Sequence, residues 1–140
     1  AHQRTSVSVS GWDPAAKEAI DAEATDSALS SELAGGLSGA TVLEEAFGPR
    51  PDRIVREAPT DTAAAQAIAD AAFRDRARRF VTAEGTTEGD ARIQVGAVVE
   101  IAGAGPMFAG AYTVTASRHL FDVVVGLRTV FRVERPGLGR

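Results

Sequence analysis

His119 is the one histidine set within patterned sequence; the other, His2, sits in a polar terminal tail. A metal centre needs several suitable ligands converging on one point. Two distant histidines in a chain without cysteine do not supply them. A structural or surface role is expected for His119, and no metal site is expected. Asp13, Glu18, Asp21 and Glu23 gather around a turn. A carboxylate pair held at the right separation runs glycoside hydrolysis, but the sequence fixes no such separation. They read as solvated acids, and no catalytic residue is assigned. Gly103-Ala104-Gly105 looks like part of a phosphate loop. No Gly-Lys-Ser/Thr follows, and a strand pattern rather than a helix comes next, so no helix N-terminus holds an anion. A tight turn is expected there, and no cofactor.

Arg74, Arg76, Arg78 and Arg79 form the densest basic cluster. They lack the interleaved aromatics that stack bases. The chain also carries 15 basic against 19 acidic residues, a net charge of -4. Nucleic acid is therefore not expected as a partner. A charge complement at a helix C-terminus or a subunit contact is the better reading. Trp12 reads equally as an exposed interface anchor or as a partly buried residue beside a hairpin.

These residues need elements to position them. The 140-residue length suffices for one domain or two small interlocked subdomains. No apolar run approaches the roughly 20 residues of a membrane-spanning helix, so no direct membrane span is expected. The start, Ala1-His2-Gln3-Arg4, has no initiator methionine and no apolar signal stretch. A fragment of a longer polypeptide is expected.

Residues 5–12 alternate, with Val7, Val9 and Gly11 on one side and Trp12 on the other, which predicts a strand. Asp13-Pro14 turns the chain. The alanines and glutamates of 15–24 favour helix, while Ala19-Ile20-Asp21-Ala22-Glu23 also fits the second arm of a hairpin, the arrangement expected in part from the family resemblance given below. The Ser/Gly-rich stretch 25–39 predicts a long, mobile connection with one helical turn near 31–34. Short strands are expected at 40–47 and 53–58. A helix is expected over 61–79, with Pro59 before it and Thr60 or Asp61 as N-cap. A strand at 80–84 should stop at Gly85. Strands at 96–101, 109–118 and 128–135 follow, joined through 103–106 and 122–126. Val123-Val124-Val125 is unusually apolar for a loop tip. The fold class expected is α+β: mostly antiparallel sheet and a small split β-barrel, with one main helix packed on the sheet. The organisation expected is an α+β subdomain over 1–88 and barrel-like strands over 89–135. The last strand is free to return to the first sheet, and 136–140 reads as a linker.

Three stretches resemble the late control gene D family of phage tail proteins, which includes the hub of VgrG-type spikes of contractile injection systems. They are Val7-Ser8-Val9-Ser10-Gly11-Trp12-Asp13-Pro14 followed by Lys17 and Ile20; the alanine-rich helix running into Arg79-Phe80-Val81-Thr82-Ala83-Glu84-Gly85; and Gly89, Gly96, Val98, Phe108, Gly110, Tyr112, Val114, His119, Thr129 and Phe131 in that order. The resemblance covers most of 5–135 and is weak across 25–52. It implies a trimeric baseplate hub joining tube to spike in a phage tail or phage-like particle assembled in the bacterial cytoplasm. Its partners would be copies of itself and the tube and spike proteins, and it would not be an enzyme. It also implies that Gly96 and Gly110 permit tight bends, that Phe108 and Tyr112 pack a barrel wall, and that His119 lies at a strand end. The alternative is a stand-alone β-barrel binding module for carbohydrate or peptide at the cell wall.

Overall fold

The computed structural model describes residues 3–33 and 35–139. His2, the Ala34 end of the helical turn expected near 31–34, and Arg140 of the expected linker lie outside them. Along the chain run β1 (Ser6–Asp13), β2 (Glu18–Ala24), α1 (Ser30–Leu33), β3 (Leu37–Ser38), α2 (Gly39–Phe47), β4 (Pro51–Ile54), α3 (Thr62–Ala77), β5 (Val81–Glu88), β6 (Val98–Ile101), β7 (Gly110–Asp122), β8 (Gly126–Arg135) and β9 (Gly137–Leu138). The class is α+β, with mostly antiparallel strands, a helix on one sheet and a second sheet curled into a half-barrel.

The first sheet has the order β2-β1-β4. The Asp13 carboxylate closes the β1–β2 turn by accepting the N–H groups of Ala15 and Ala16 at 2.8 and 3.0 Å. Alternation then sends Val7, Val9, Ile20, Ala22 and Ala24 to one buried face. α3 covers that face with Ala65, Ala69, Phe73 and Ala77. Its alanines let the helix backbone approach closely, and Phe73 fills the centre. Asp61 is the N-cap, its side chain accepting the Ala64 N–H at 2.8 Å. Residues 78–80 continue as a tighter 3-10 turn.

Several local expectations fail for definable reasons. The 25–39 connection is structured: a 3-10 turn at Asp26–Leu29 and α1 carry Leu29 fully into the core. The Asp26 carboxylate accepts the hydroxyls of Ser38 and Thr41, at 2.7 Å for Thr41. Residues 40–47 are not a strand but lie in α2, because Ser38 caps the helix by accepting the Thr41 N–H at 3.0 Å. The strand expected at 53–58 is β4, shifted to Pro51–Ile54, where it pairs parallel with β1.

The second sheet has the order β5-β8-β7-β6, all antiparallel. β5 does not stop at Gly85. It runs through to Glu88, because the Phe131 ring occupies the space over Gly85, where a Cβ would lie 2.6 Å from Cζ. β8 pairs with β5 and β7 rather than returning to the first sheet. Tyr112, Val114 and Val133 centre the core of this sheet, with Ile93, Ala97, Val99 and Phe131 packed against them. Loop 89–97 covers that face and is tied down by the Gly96 N–H to Val114 C=O and Val114 N–H to Ala97 C=O bonds, 2.8 and 2.9 Å. The tail expected to be a linker adds β9, which pairs with β3, and Gly137 is buried.

Candidate functional site

The face of the four-stranded sheet away from this core is polar. Along β5, Thr82, Glu84, Thr86 and Glu88 are exposed, while Val81, Ala83 and Gly85 between them are half-buried. Register sets Glu84 beside Arg132, Thr82 beside Glu134, and Arg118 beside Val130. Arg132 donates from Nε and Nη2 to Glu84 Oε1 at 2.9 and 2.5 Å. Both side chains are more than half exposed, so the pair is worth under about 1 kcal/mol. A ligand can compete for either partner.

Three adjoining depressions share Arg132. One of about 370 Å³ is lined by Glu84, Ser117, Arg118 and Arg132 among others. A second of about 260 Å³ lies over Thr82, Glu84 and Arg132. The third, about 440 Å³, passes Thr82 and Thr115 to reach Asp75, Arg79 and Glu134. Together they form an open trough. Its hydroxyls and carboxylates accept hydrogen bonds, and its guanidinium groups donate several in fixed geometry. Burial pushes the Glu134 carboxyl above its ordinary range, against the opposing pull of Arg79 and Arg78.

Of the residues singled out in the sequence, Phe131 lines the first depression and Arg79 the third, and the others lie elsewhere. Thr129 is fully buried. Its hydroxyl accepts the Asp90 N–H at 3.0 Å and shares a 2.9 Å bond with His119 Nδ1. His119 is exposed and lies within β7, which runs three residues past it. Asp90 and Arg92 pair at 2.7 Å. The Arg92 side chain and backbone N–H together hold the Asp90 carboxyl down at about 2. Tyr112 is buried and donates to the Phe108 C=O at 2.7 Å, while the Phe108 ring is half exposed. Arg135 stands over the Tyr112 ring, 5.6 Å from its centroid, and donates to the Ala109 C=O at 2.8 Å. Gly96 and Gly110 have φ of +88° and +131°, a region open to glycine. Gly89 donates its N–H to the Leu127 C=O at 2.9 Å, and Phe131 lies against Gly85. Gly11, Trp12, Asp13 and Pro14 belong to the separate β1–β2 hairpin, where Trp12 is 58 % exposed.

The structure thus brings Asp90, His119 and Thr129 together, and Phe108, Gly110 and Tyr112 with Arg135. Neither group opens onto the trough. The trough residues Glu84, Ser117, Arg118 and Arg132 were not singled out in the sequence as a site. Their signal was the exposed alternation of three strands, which becomes a surface only once register is known. Among the described residues, no group of three or more His, Cys, Asp or Glu is arranged to hold a metal. The arginine cluster is engaged internally. Arg74 donates to the Ala28 C=O, Arg76 pairs with Asp52, Arg78 forks onto Glu32, and Arg79 pairs with Asp75.

A family model described as the Alg8 N-terminal domain matches residues 1–122. The chain belongs to the Alg8 N-terminal domain family. No curated protein matches it. This membership corrects the resemblance to late control gene D and VgrG-type hubs, because the Alg8 family is one of glycosyltransferases. The tube-to-spike hub role is overturned with it. A place in a phage tail or phage-like baseplate, which rested on the same resemblance, is overturned by the same family match. The expectation that the protein is not an enzyme is also corrected: the chain corresponds to the N-terminal domain of an enzyme family. The physical reason for the misreading is visible in the fold. Gly96 and Gly110 at positive φ, Gly85 under Phe131, and Tyr112 at the core are demands of a curled antiparallel sheet. Their order reports that geometry and is not specific to one family.

Proposed function

We propose that the chain serves a glycosyltransferase-related protein as an N-terminal domain that holds a saccharide along the outer face of its four-stranded sheet. The observation that carries this reading is the open trough through Arg132, flanked by Glu84, Ser117, Arg118, Thr82 and Thr115. An extended, hydroxyl-rich ligand matches an extended row of carboxylate, hydroxyl and guanidinium groups. Arg118 and Arg132 offer planar forks to a sugar carboxylate or phosphate, and Glu84 accepts from hydroxyls. The shallow, solvated form suits a chain lying along a surface more than a small molecule enclosed in a pocket.

Calorimetric titration with neutral and acidic oligosaccharides tests the reading. Binding is expected, and Arg132→Ala should weaken it about tenfold, the loss of one charge-assisted hydrogen bond. The same variant should leave thermal unfolding within about 0.5 kcal/mol of the parent. No heat with any oligosaccharide at millimolar concentration, or equal affinity in the variant, overturns the proposal.

A further inference from the structure

The β7–β8 hairpin extends beyond the strands that flank it. β6 pairs with β7 only between Val98↔Thr113 and Ile101↔Gly110, and β5 ends at Glu88↔Arg128, whereas β7 and β8 stay paired out to Asp122↔Gly126. The projecting end carries Leu120, Phe121, Val123, Val124, Val125 and Leu127, all exposed. Val123 and Val124 are 89 % and 87 % exposed and Phe121 is 75 %. A turn selected for water takes Gly, Asn, Asp or Ser; three consecutive exposed valines signal a contact surface. Two of the tip's own backbone donors are already satisfied. Asp122 Oδ1 accepts the Val124 and Val125 N–H groups at 2.7 and 3.1 Å, so these amides need no water when the tip leaves it.

Behind the apolar end stands a cationic collar. Arg128 lies directly across from Leu120, and Arg118 is two positions further back on β7. Neither forms an ion pair among the described residues. Glu88 faces Arg128 across the β5–β8 ladder, Asp90 is engaged with Arg92, and Asp122 is turned into the turn backbone. Arg118 is four strand positions from the Asp122 end of the turn, about 13 Å at the usual strand rise, and Arg128 is two from its Gly126 end, about 7 Å. The Arg128 distance is the depth at which an interfacial element sits between headgroups and acyl chains, about 5–10 Å. We propose that the β7–β8 tip is a membrane-contact finger. Its valines and Phe121 enter the surface of an anionic lipid bilayer while Arg118 and Arg128 meet the headgroup phosphates. An apolar pocket on another protein has no need of cations at that fixed distance behind the tip. The valines lie past residue 122, where the family match ends, and the inference shares only Arg118 with the saccharide trough, resting on neither Glu84 nor Arg132.

The test is co-sedimentation of the full chain with phosphatidylcholine vesicles, with and without phosphatidylglycerol. Binding is expected only with the anionic lipid. The double variant Val123→Ser/Val124→Ser should weaken it about tenfold. Arg118→Gln/Arg128→Gln should weaken it and flatten its salt dependence. In a Trp12→Phe background, Val124→Trp should show a blue-shifted emission on anionic vesicles. These positions are exposed, so thermal unfolding should be unchanged in every variant. No sedimentation with anionic vesicles, or sedimentation indifferent to the valine changes, overturns the proposal. Self-association abolished by the valine changes, without vesicle binding, overturns it in favour of a second copy of the chain.

Discussion

The sheet of β1, β2 and β4 gives one face to α3, whose Ala65, Ala69, Phe73 and Ala77 seal it together with Leu29. The sheet of β5 to β8 is covered by loop 89–97 on its inner side and leaves its outer side, centred on Glu84 and Arg132, to solvent. The first region is closed by a helix stripe of small side chains around one aromatic. The second is closed on one face alone and projects an apolar hairpin. The contrast separates the two tasks: burial in the helix-covered layer dominates stability, while the half-barrel presents groups to a ligand. Even the charged residues divide this way. Arg74, Arg76 and Arg78 of the first region are spent on tertiary contacts, whereas Arg118, Arg128 and Arg132 face outward.

The largest expected effect that would break this division is Phe73→Ala. It should cost about 3–5 kcal/mol and unfold the first layer; a loss below about 1 kcal/mol by chemical denaturation would remove Phe73 as its centre. Asp61→Ala removes the α3 cap and should cost about 1 kcal/mol, read as a lower denaturation midpoint with an unchanged denaturant slope. In the second region, Tyr112→Phe removes only the bond to the Phe108 C=O and should cost about 0.5–1.5 kcal/mol. An unchanged midpoint would show that the bond is replaced by water. The smallest effect is a pH dependence. Arg92 holds the Asp90 carboxyl at about 2 against an ordinary 3.8. Its contribution is therefore present above the unfolded value and lost as pH falls from about 4 towards 2. Asp90→Asn should flatten that part of the stability profile, and an identical profile would assign the acid loss to other carboxylates.

Much of the first layer was legible in the sequence because local signals agreed with one another. Alternation up to Asp13-Pro14 gave β1 and its turn, and Pro59 with Asp61 before a stripe of alanines gave α3, while the return arm at 15–24 fitted a helix as well as a strand. The failures came where a local signal was overruled by distant groups. Residues 40–47 read as a short strand, but the Ser38 cap and its tie to Asp26 made a helix. Gly85 suggested a strand end, but Phe131, 46 positions later, filled its missing side chain. Leu29 held in place a Ser/Gly-rich stretch that read as mobile. The trough was illegible for the same reason. Glu84 and Arg132 are far apart in sequence, and only the β5–β8 register joins them. The apolar tip was visible as an oddity at Val123-Val124-Val125. Its meaning required knowing how far the hairpin outruns its neighbours.

The most direct test of the central claim is amide chemical-shift mapping of the chain titrated with oligosaccharides. The account predicts shifts concentrated at Glu84, Ser117, Arg118 and Arg132 on β5, β7 and β8, with α3 and the β1–β2 hairpin silent. Shifts confined to α3 and the hairpin, or no shifts at saturating saccharide, would contradict it.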